Sequence, residues 1–491
     1  MEKCRNIQAM KLLILTFLLT IATACSDSFL DVPPQGKVKA EDFFLTEADA
    51  TEAVNSIYGN LRGWTNVAFA PMALESLGSD DAEKGSDPSD ASFLNAFDNF
   101  TVTATEGQIY DFWSGRYLDI NLCNQLIDNI QNIPMNEGLK ARYVAEAKFA
   151  RAYAYFRLVR AFGDIPLRLT VPKGASEFNI PRTPKAEVYA AIERDLTEAA
   201  SVLPVSYTGS DIGKFTRGAA LSLNAKVAMY QNKWTEVRDL TNQVIALGYT
   251  LFPNYYQLFR VANENSSESI FEIQATLVPG NGAVSNSQYS QIQGVRGTDA
   301  GWGFNVPTQD LADFYEAGDP RRDATIIFSG EITPDGDAIP SNTPNPRYNQ
   351  KSYVPFSQLD LQLTPGCQQN VRVIRFADVL LMNAEANNEL GNASAALASL
   401  ELVRARARNG NNAILPQVTT TDQAQLRQAI WRERRAELAM EFDRYFDVIR
   451  QGRGLQVFGP KGWKANKNEV WPIPQREIDL SSGVLVQNPG Y

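Results

Sequence analysis

Between Glu41 and Arg62 apolar residues return every three or four positions, at Ala50, Val54, Ile57, Tyr58 and Leu61, which predicts an amphipathic helix. The helical period resumes over 108–132 and 138–162. The second stretch carries Ala141, Ala145, Ala147, Ala150, Ala152 and Ala154. Small side chains let helix axes approach closely, so this helix is expected at the centre of the fold. Gly163 stops it, with Pro166 just beyond. Thr183 and Pro184 read as the N-cap and first-turn proline of the next helix, which Pro204 ends after Leu203.

The stretches 217–248 and 376–408 repeat one another. Leu221, Asn224, Ala225, Val237 and Val244 are matched by Leu380, Asn383, Ala384, Ala396 and Val403, at a constant offset of 159 (380 less 221 for the leucines). Each stretch is a helix, a polar break (231–233, then 390–392) and a second helix. That is the spacing of a tetratricopeptide (TPR) unit, whose small residues sit where two antiparallel helices cross. One unit cannot bury its own face, so the pairs around 108–162 and 184–230 are expected to stack beside these two.

The helical period fails over 63–107 and again between about 250 and 370, where Gly, Pro, Asn, Ser and Asp accumulate. Within the second stretch only short pieces, such as Ser269–Ile273 and Ala324–Phe328, read as strands. The fold class that follows is mostly α: a TPR-like helical-repeat scaffold interrupted by a long, loop-rich insertion with a few short strands. Long irregular segments in a regular scaffold tend to carry function.

The first residues add a targeting signal. Lys3, Arg5 and Lys11 precede an apolar run over 12–21, too short for a confident membrane span. The run ends at Ala22-Thr23-Ala24-Cys25. Small residues directly followed by Cys resemble a bacterial lipobox, in which the leader is cut before the Cys and that residue is acylated. Pro33, Pro34 and Gly36 then suggest an extended tether. Of the four cysteines, Cys4 leaves with the leader and Cys25 takes the lipid. Cys123 and Cys367 remain, open to one disulfide, although Cys123 lies in an apolar helical pattern and reads better as a buried small side chain.

The chain of 491 residues has no histidine, which removes Ser-His-Asp and Cys-His nucleophiles and His-ligated zinc. With 46 Lys and Arg against 56 Asp and Glu, the net charge is −10. Loss of three basic residues and one acidic residue with the leader takes it to −12. That balance argues against nucleic acid as a partner.

A hydrolase built on carboxylates stays open. The densest candidate is the helical pattern from about Thr421 to Arg450, with Glu433, Glu437 and Glu441 four apart. Arg434 and Glu437, and Glu441 and Arg444, stand three apart on a shared face. With Arg432, Arg434, Arg435 and Arg444 so near, an ion-paired structural helix is the better reading, and no catalytic residue is assigned. Asp80-Asp81, in a loop with Gly78, Ser79, Gly85 and Ser86, could offer oxygen ligands to Ca²⁺. It lacks EF-hand spacing, so turn hydrogen bonds are favoured and no metal is assigned. The glycines at 280, 282, 294, 297, 301 and 303 lack the strand-to-helix context of a phosphate loop.

Several landmarks occur together and in order. They are Cys25-Ser26-Asp27-Ser28-Phe29-Leu30-Asp31-Val32-Pro33-Pro34; Trp113, Tyr117 and Asn121; Ala145 to Ala152; and Phe162-Gly163-Asp164-Ile165-Pro166-Leu167. Ala384-Glu385-Ala386, Arg432 to Leu438, Arg444-Tyr445-Phe446-Asp447 and Gln487-Asn488-Pro489-Gly490-Tyr491 follow. Across essentially the whole mature chain this resembles the SusD/RagB family of outer-membrane lipoproteins of Bacteroidota. The resemblance implies a helical fold with four TPR-like units and a variable, loop-rich ligand face. It implies a binding protein rather than an enzyme, anchored to the outer membrane through Cys25 and facing the exterior. There it would capture a glycan, or in some members a peptide, for a SusC-like TonB-dependent transporter. The regions expected are a leader at 1–24, a lipidated tether at 25–40, an N-terminal helical region at 41–250, the ligand-face region at 251–370 and a C-terminal region at 371–491.

Sugar rings pack their C–H faces on flat π-systems while polar side chains bond the hydroxyls. Trp64, Phe69, Phe93, Phe97, Tyr289, Trp302 and Phe304 fall in irregular stretches, whereas Trp113, Trp234 and Trp431 fall on helical patterns and read as core. The ligand site is expected where the loops of 64–100 meet 280–304. Tyr289 and Trp302 are the preferred stacking platforms. The resemblance adds Phe93 and Phe97, since the loop after the acidic pair often reaches the ligand. Gln288, Gln291 and Arg296 are the expected hydroxyl partners, and Arg296 would also suit an acidic sugar or a peptide carboxylate.

Overall fold

Thr46 opens the first helix with a reciprocal cap. Its hydroxyl accepts the Asp49 N–H at 3.3 Å, and the Asp49 carboxylate accepts the Thr46 N–H at 2.7 Å. The helix, α1 (Glu47–Leu61), buries Ala50, Val54, Ile57 and Leu61. This computed structural model describes Met10 and residues 43–174 and 177–491. The leader apart from Met10, the lipidation residue Cys25 and the tether lie outside those residues.

The long helices that follow are α2 (Gly107–Asn129), α3 (Glu137–Phe162), α4 (Lys185–Val202), α5 (Arg217–Met229) and α6 (Trp234–Ile245). After the insertion come α7 (Phe376–Glu389), α8 (Ala393–Arg408), α9 (Gln423–Leu438) and α10 (Arg444–Arg450). Side chains of Asn136, Thr216 and Asp422 cap α3, α5 and α9. The alanine-rich α3 is buried almost throughout its last five turns, as its small residues predict, and Gly163 follows it with a φ of +73°. At α4 the N-cap is Pro184 rather than Thr183, because Thr183 pairs its backbone with Ile165 in an isolated bridge.

Each helix from α1 to α8 packs on the next in the chain, and α6 packs on α7 although residues 246–375 separate them in sequence. The two matched pairs, α5/α6 and α7/α8, therefore stand side by side. Ala225, Ala384, Val237, Ala396, Val244 and Val403 have no exposed surface, as the crossing of two helices in each unit requires.

The insertion leaves and returns through one antiparallel ribbon. Strand β2 (Ser269–Ile273) pairs with β6 (Val371–Arg375), so its ends are joined at the base. A second ribbon pairs β1 (Ala82–Gly85) with β3 (Phe304–Pro307) and fastens the early loop to the insertion. The third pairs β4 (Ile326–Phe328) with β5 (Arg347–Asn349). β2 coincides with its expected bounds, whereas Ala324 and Thr325 belong to the helical turn Arg321–Thr325 that precedes β4. Val295, Val306, Ile327, Ile339, Tyr348 and Tyr353 form the insertion's own core.

The expected continuous helix to Arg450 is broken. α9 ends at Leu438, and the turn before α10 holds Met440 and Phe442 at φ +66° and +67°, a left-handed backbone that large residues adopt only under constraint. The break redirects the charges. Arg434 pairs with Asp378 and Asp447 rather than Glu437, and Arg444 grips Asp80 through two bonds of 2.8 Å rather than meeting Glu441. Glu433 meets Arg321 and Arg404. Glu437 meets Arg321, Arg375 and Arg406. Glu441 meets Arg375 and Lys351. Cys123 and Cys367 are both buried free thiols, so the disulfide alternative does not occur.

Candidate ligand-binding site

Trp64 lies in a single helical turn, Trp64–Val67, and Phe69 in the next, Phe69–Pro71. Both follow directly on α1, which fixes their position. Phe304, on β3, is buried beneath Phe69 with ring centroids 4.9 Å apart and planes at 74°. Around this base stand Trp64, 5.2 Å from Phe69, and Trp302, 6.2 Å from Phe69 and 6.3 Å from Trp64. Phe93 is 6.4 Å from Phe69 and 43% exposed, while Trp64, Phe69 and Trp302 are half-buried. Four rings from three chain segments thus share one partly exposed patch, at spacings where aromatic edges and faces attract.

Polar groups border it. Trp302 N–H donates to the Gln291 carbonyl at 2.8 Å, and the side chains of Gln288 and Gln291, both half-buried, bond each other at 3.1 Å. Arg296 pairs with Asp87 at 2.5 Å and Asp90 at 2.9 Å. Of the residues singled out in the sequence, the structure brings together Trp302, Phe93, Gln288, Gln291 and Arg296.

It does not bring Tyr289 and Phe97 to that surface. Phe97 has no exposed surface and packs on Trp471 with centroids 5.6 Å apart. Tyr289 is buried beside Phe442 and lines a cleft of about 60 Å³ with Tyr153, Arg372 and Glu441. That volume admits a few waters and no sugar ring. Burial pushes the Tyr289 phenol well above its ordinary value. Tyr289, expected as a stacking platform, and Phe97, expected behind it, are both buried and do not present a ring at the exposed patch. Trp64 and Phe69 stand at that patch instead. Their only signal in the sequence was to be aromatic in an irregular stretch, which they shared with the two that proved to be core.

Asp80 and Asp81 face arginines. Besides Arg444, Asp80 meets Arg435 at 3.1 Å, and Asp81 meets Arg435 at 2.7 Å. Burial favours the neutral form of both. The Arg444 and Arg435 guanidinium groups nevertheless hold Asp80 below the usual carboxylate range, whereas Asp81 is left above it. Among the described residues no group of three or more acidic or Cys side chains is disposed to hold a metal ion.

The stacked helix pairs, the ribbon-closed insertion and the loop-borne rings make a helical-repeat scaffold that carries a partly exposed aromatic patch. Comparison with known proteins places it further: the chain belongs to the SusD family. The SusD family profile matches residues 267–491, and the profile described as "Starch-binding associating with outer membrane" matches 28–229. The chain is 30% identical to SusD-like protein P2 of Formosa agariphila over 98% of its own length and 100% of that protein's. A SusD-like protein of Bacteroides ovatus is 28% identical over 89% of this chain and 82% of its own length. Among solved structures, a "Laminarin binding SusD-like protein" superposes with a TM-score of 0.79 at 31% identity, covering 91% of this chain and 100% of that one. Surface glycan-binding protein A from Bacteroides thetaiotaomicron, solved in complex with laminarihexaose, shares the fold with a TM-score of 0.75 at 24% identity, over 90% of this chain and 99% of its own.

Proposed function

We propose that this protein captures an oligosaccharide at the outer membrane and hands it, uncleaved, to a SusC-like TonB-dependent transporter. The observation that carries the reading is the patch of Trp64, Phe69, Trp302 and Phe93, partly exposed and bordered by Gln288 and Gln291. Flat rings beside amides suit a ligand with C–H faces and hydroxylated edges. Family membership supports it, as does the 31% identical relative described as binding laminarin, which makes a β-glucan the first ligand to try.

A glycosidase is disfavoured by the carboxylates of α9 and the turn after it. Glu433 and Glu437 are buried and Glu441 half-buried, and Arg321, Arg404, Arg375, Arg406 and Lys351 tie all three into structural ion pairs. A peptide ligand is disfavoured because Arg296, the cation placed to receive a carboxylate, already meets Asp87 and Asp90.

Titration calorimetry of the chain from Ser26 onward against laminarin, starch oligosaccharides and mixed peptides tests the ligand class. Saturable glycan binding without new reducing ends is expected, and binding of peptide alone would overturn it. Anchoring through Cys25 is tested by labelling with a fatty-acid analogue, which should mark the wild type and not Cys25→Ala. Transfer is tested by whether the lipidated protein co-purifies with a SusC-like transporter from its native outer membrane.

A further inference from the structure

Trp302 is mounted between two glycines that cannot be replaced. A Cβ on Gly301 would stand 2.3 Å from the Gln291 carbonyl oxygen. On Gly303, at φ +75°, it would stand 2.6 Å from the Arg296 Cβ. Glycine leaves the backbone its widest freedom, so the orientation of a ring held between two of them must be set from outside. Three hydrogen bonds do so: Trp302 N–H to Gln291 O at 2.8 Å, Ser86 N–H to Gly303 O at 2.6 Å, and Arg296 Nη1 to Trp302 O at 3.4 Å.

The same guanidinium closes on the opposite loop through Nη2 to Asp87 and Nη1 to Asp90. Asp90 also accepts the Ser86 hydroxyl at 2.9 Å, and Lys84 Nζ donates to the carbonyls of Asp87 and Asp90 at 2.7 and 2.8 Å. The 86–90 loop is therefore gathered around two cations. It runs through Ala91, at φ +43°, straight into the turn Ser92–Leu94 that carries Phe93.

We propose that Arg296 is a positioning residue of the ligand face. It buckles the Trp302 segment to the Phe93 loop and holds the two rings ready for a saccharide, without itself receiving the ligand. The inference rests on the glycan-binding reading. The side chains of Arg296, Asp87 and Asp90 are 29%, 44% and 38% exposed. Exposed ion pairs contribute little to global stability. Fixing a binding surface before the ligand arrives, by contrast, removes an ordering cost from association.

The test uses the chain from Ser26 onward, which keeps the whole compact unit of Thr46–Tyr491, with laminarin as the probe. Arg296→Gln should weaken binding about tenfold and leave the melting temperature essentially unchanged, and Arg296→Lys should restore part of the loss. The double variant Asp87→Asn/Asp90→Asn should lose a similar amount, breaking the buckle from its other side. The decisive arm is a cycle with the double variant Trp302→Ala/Phe93→Ala, which removes both rings that Arg296 positions and in which Arg296→Gln should cost nothing further. A full additional loss in that background would mean that Arg296 touches the ligand, and would overturn the positioning role. So would unchanged binding by Arg296→Gln, or a large fall in its melting temperature. If the wild type binds neither laminarin nor any other glycan, the glycan reading itself fails. If it binds glycan and Arg296→Gln binds equally, only the buckle does.

Discussion

The side-chain amide of Asn383 donates to the Thr241 hydroxyl at 2.9 Å, from the first helix of one TPR-like unit to the second helix of the unit before it. The same amide donates to Asn242 at 2.9 Å, and its oxygen accepts the Ser399 hydroxyl at 2.8 Å, so one residue ties together α6, α7 and α8. Asn224, its counterpart in the earlier unit, repeats the relationship more loosely, donating to Thr197 on α4 at 3.5 Å. A buried amide with partners on two neighbouring helices fixes how the units stack, beyond what apolar packing requires.

Removing that amide should therefore be costly. Asn383→Ala is expected to lower stability by about 1–3 kcal/mol, and Asn224→Ala by less, given its longer bond. Urea unfolding of the two variants makes the comparison. Equal losses would mean that the stacking contact is not what the asparagine contributes. At the next position Ala384→Leu would overpack the crossing, at about 1–3 kcal/mol.

Substitutions at the aromatic residues should separate surface from interior. Trp302→Ala and Trp64→Ala should weaken glycan binding about tenfold each, with the fold intact. Tyr289→Ala and Phe97→Ala should instead cost about 3–5 kcal/mol of stability, as buried aromatics do. Calorimetric titration and thermal melts on the same four variants distinguish the two outcomes.

The buried charges should also be intolerant of removal on one side. Arg375 reaches Glu268 at 2.5 Å, Glu437 at 3.0 Å and Glu441 at 2.7 Å. Arg375→Met removes the cation shared by three carboxylates, leaving only Arg406, Arg321 and Lys351 to hold them, and should destabilise by about 3–5 kcal/mol, measured by urea unfolding.

Acid should dismantle the same network. Burial alone would raise the carboxyls of Glu75, Asp378, Glu437, Glu441 and Asp447, but Arg157, Arg434, Arg406, Arg375 and their neighbours hold all five below the ordinary range, Glu437 at about 2. Depressed values mean that the stabilisation is complete above the unfolded-state values near 4. It is lost as the pH falls through the folded ones. The melting temperature should hold down to about pH 5 and fall steeply between about pH 4 and 2.

Glu264 works in the other direction. Burial lifts its carboxyl to about 7, against the pull of Arg372 and of the Asn370 N–H that donates to it at 2.7 Å. A raised value means that its contribution is greatest below the unfolded value of 4.5 and is lost as the pH rises through about 7. Glu264→Gln should accordingly gain on the order of 1–3 kcal/mol at pH 8 and little at pH 5. Thermal melts of wild type and variant at the two pH values give the answer.

How far these features were legible depends on their range in the chain. The helices at 108–162 and the matched pairs at 217–248 and 376–408 announce themselves because the period of an α-helix and the small residues at its crossings are local patterns. The break after Leu438 does not, since Met440 and Phe442 are not residues whose chemistry favours a left-handed backbone. They are held there by tertiary contacts. Nor could sequence spacing pair Arg444 with Asp80, 364 residues away. In the irregular stretches the rings were visible but their direction was not. Without a period of 2 or 3.6, nothing separates Trp302, which faces outward, from Tyr289, which faces inward.

Because β2 and β6 meet in one ribbon, the whole stretch between them is a cassette with a single stem. Its two ends are adjacent, so closing it costs the scaffold little entropy however long it grows. A chimaera that received a different cassette could in principle acquire a different cargo on the same helical frame. The graft would have to bring its own substitutes for Arg321 and Lys351. Those cations leave the cassette to neutralise Glu433, Glu437 and Glu441, and a transplant without them would unseat the frame it was meant to decorate.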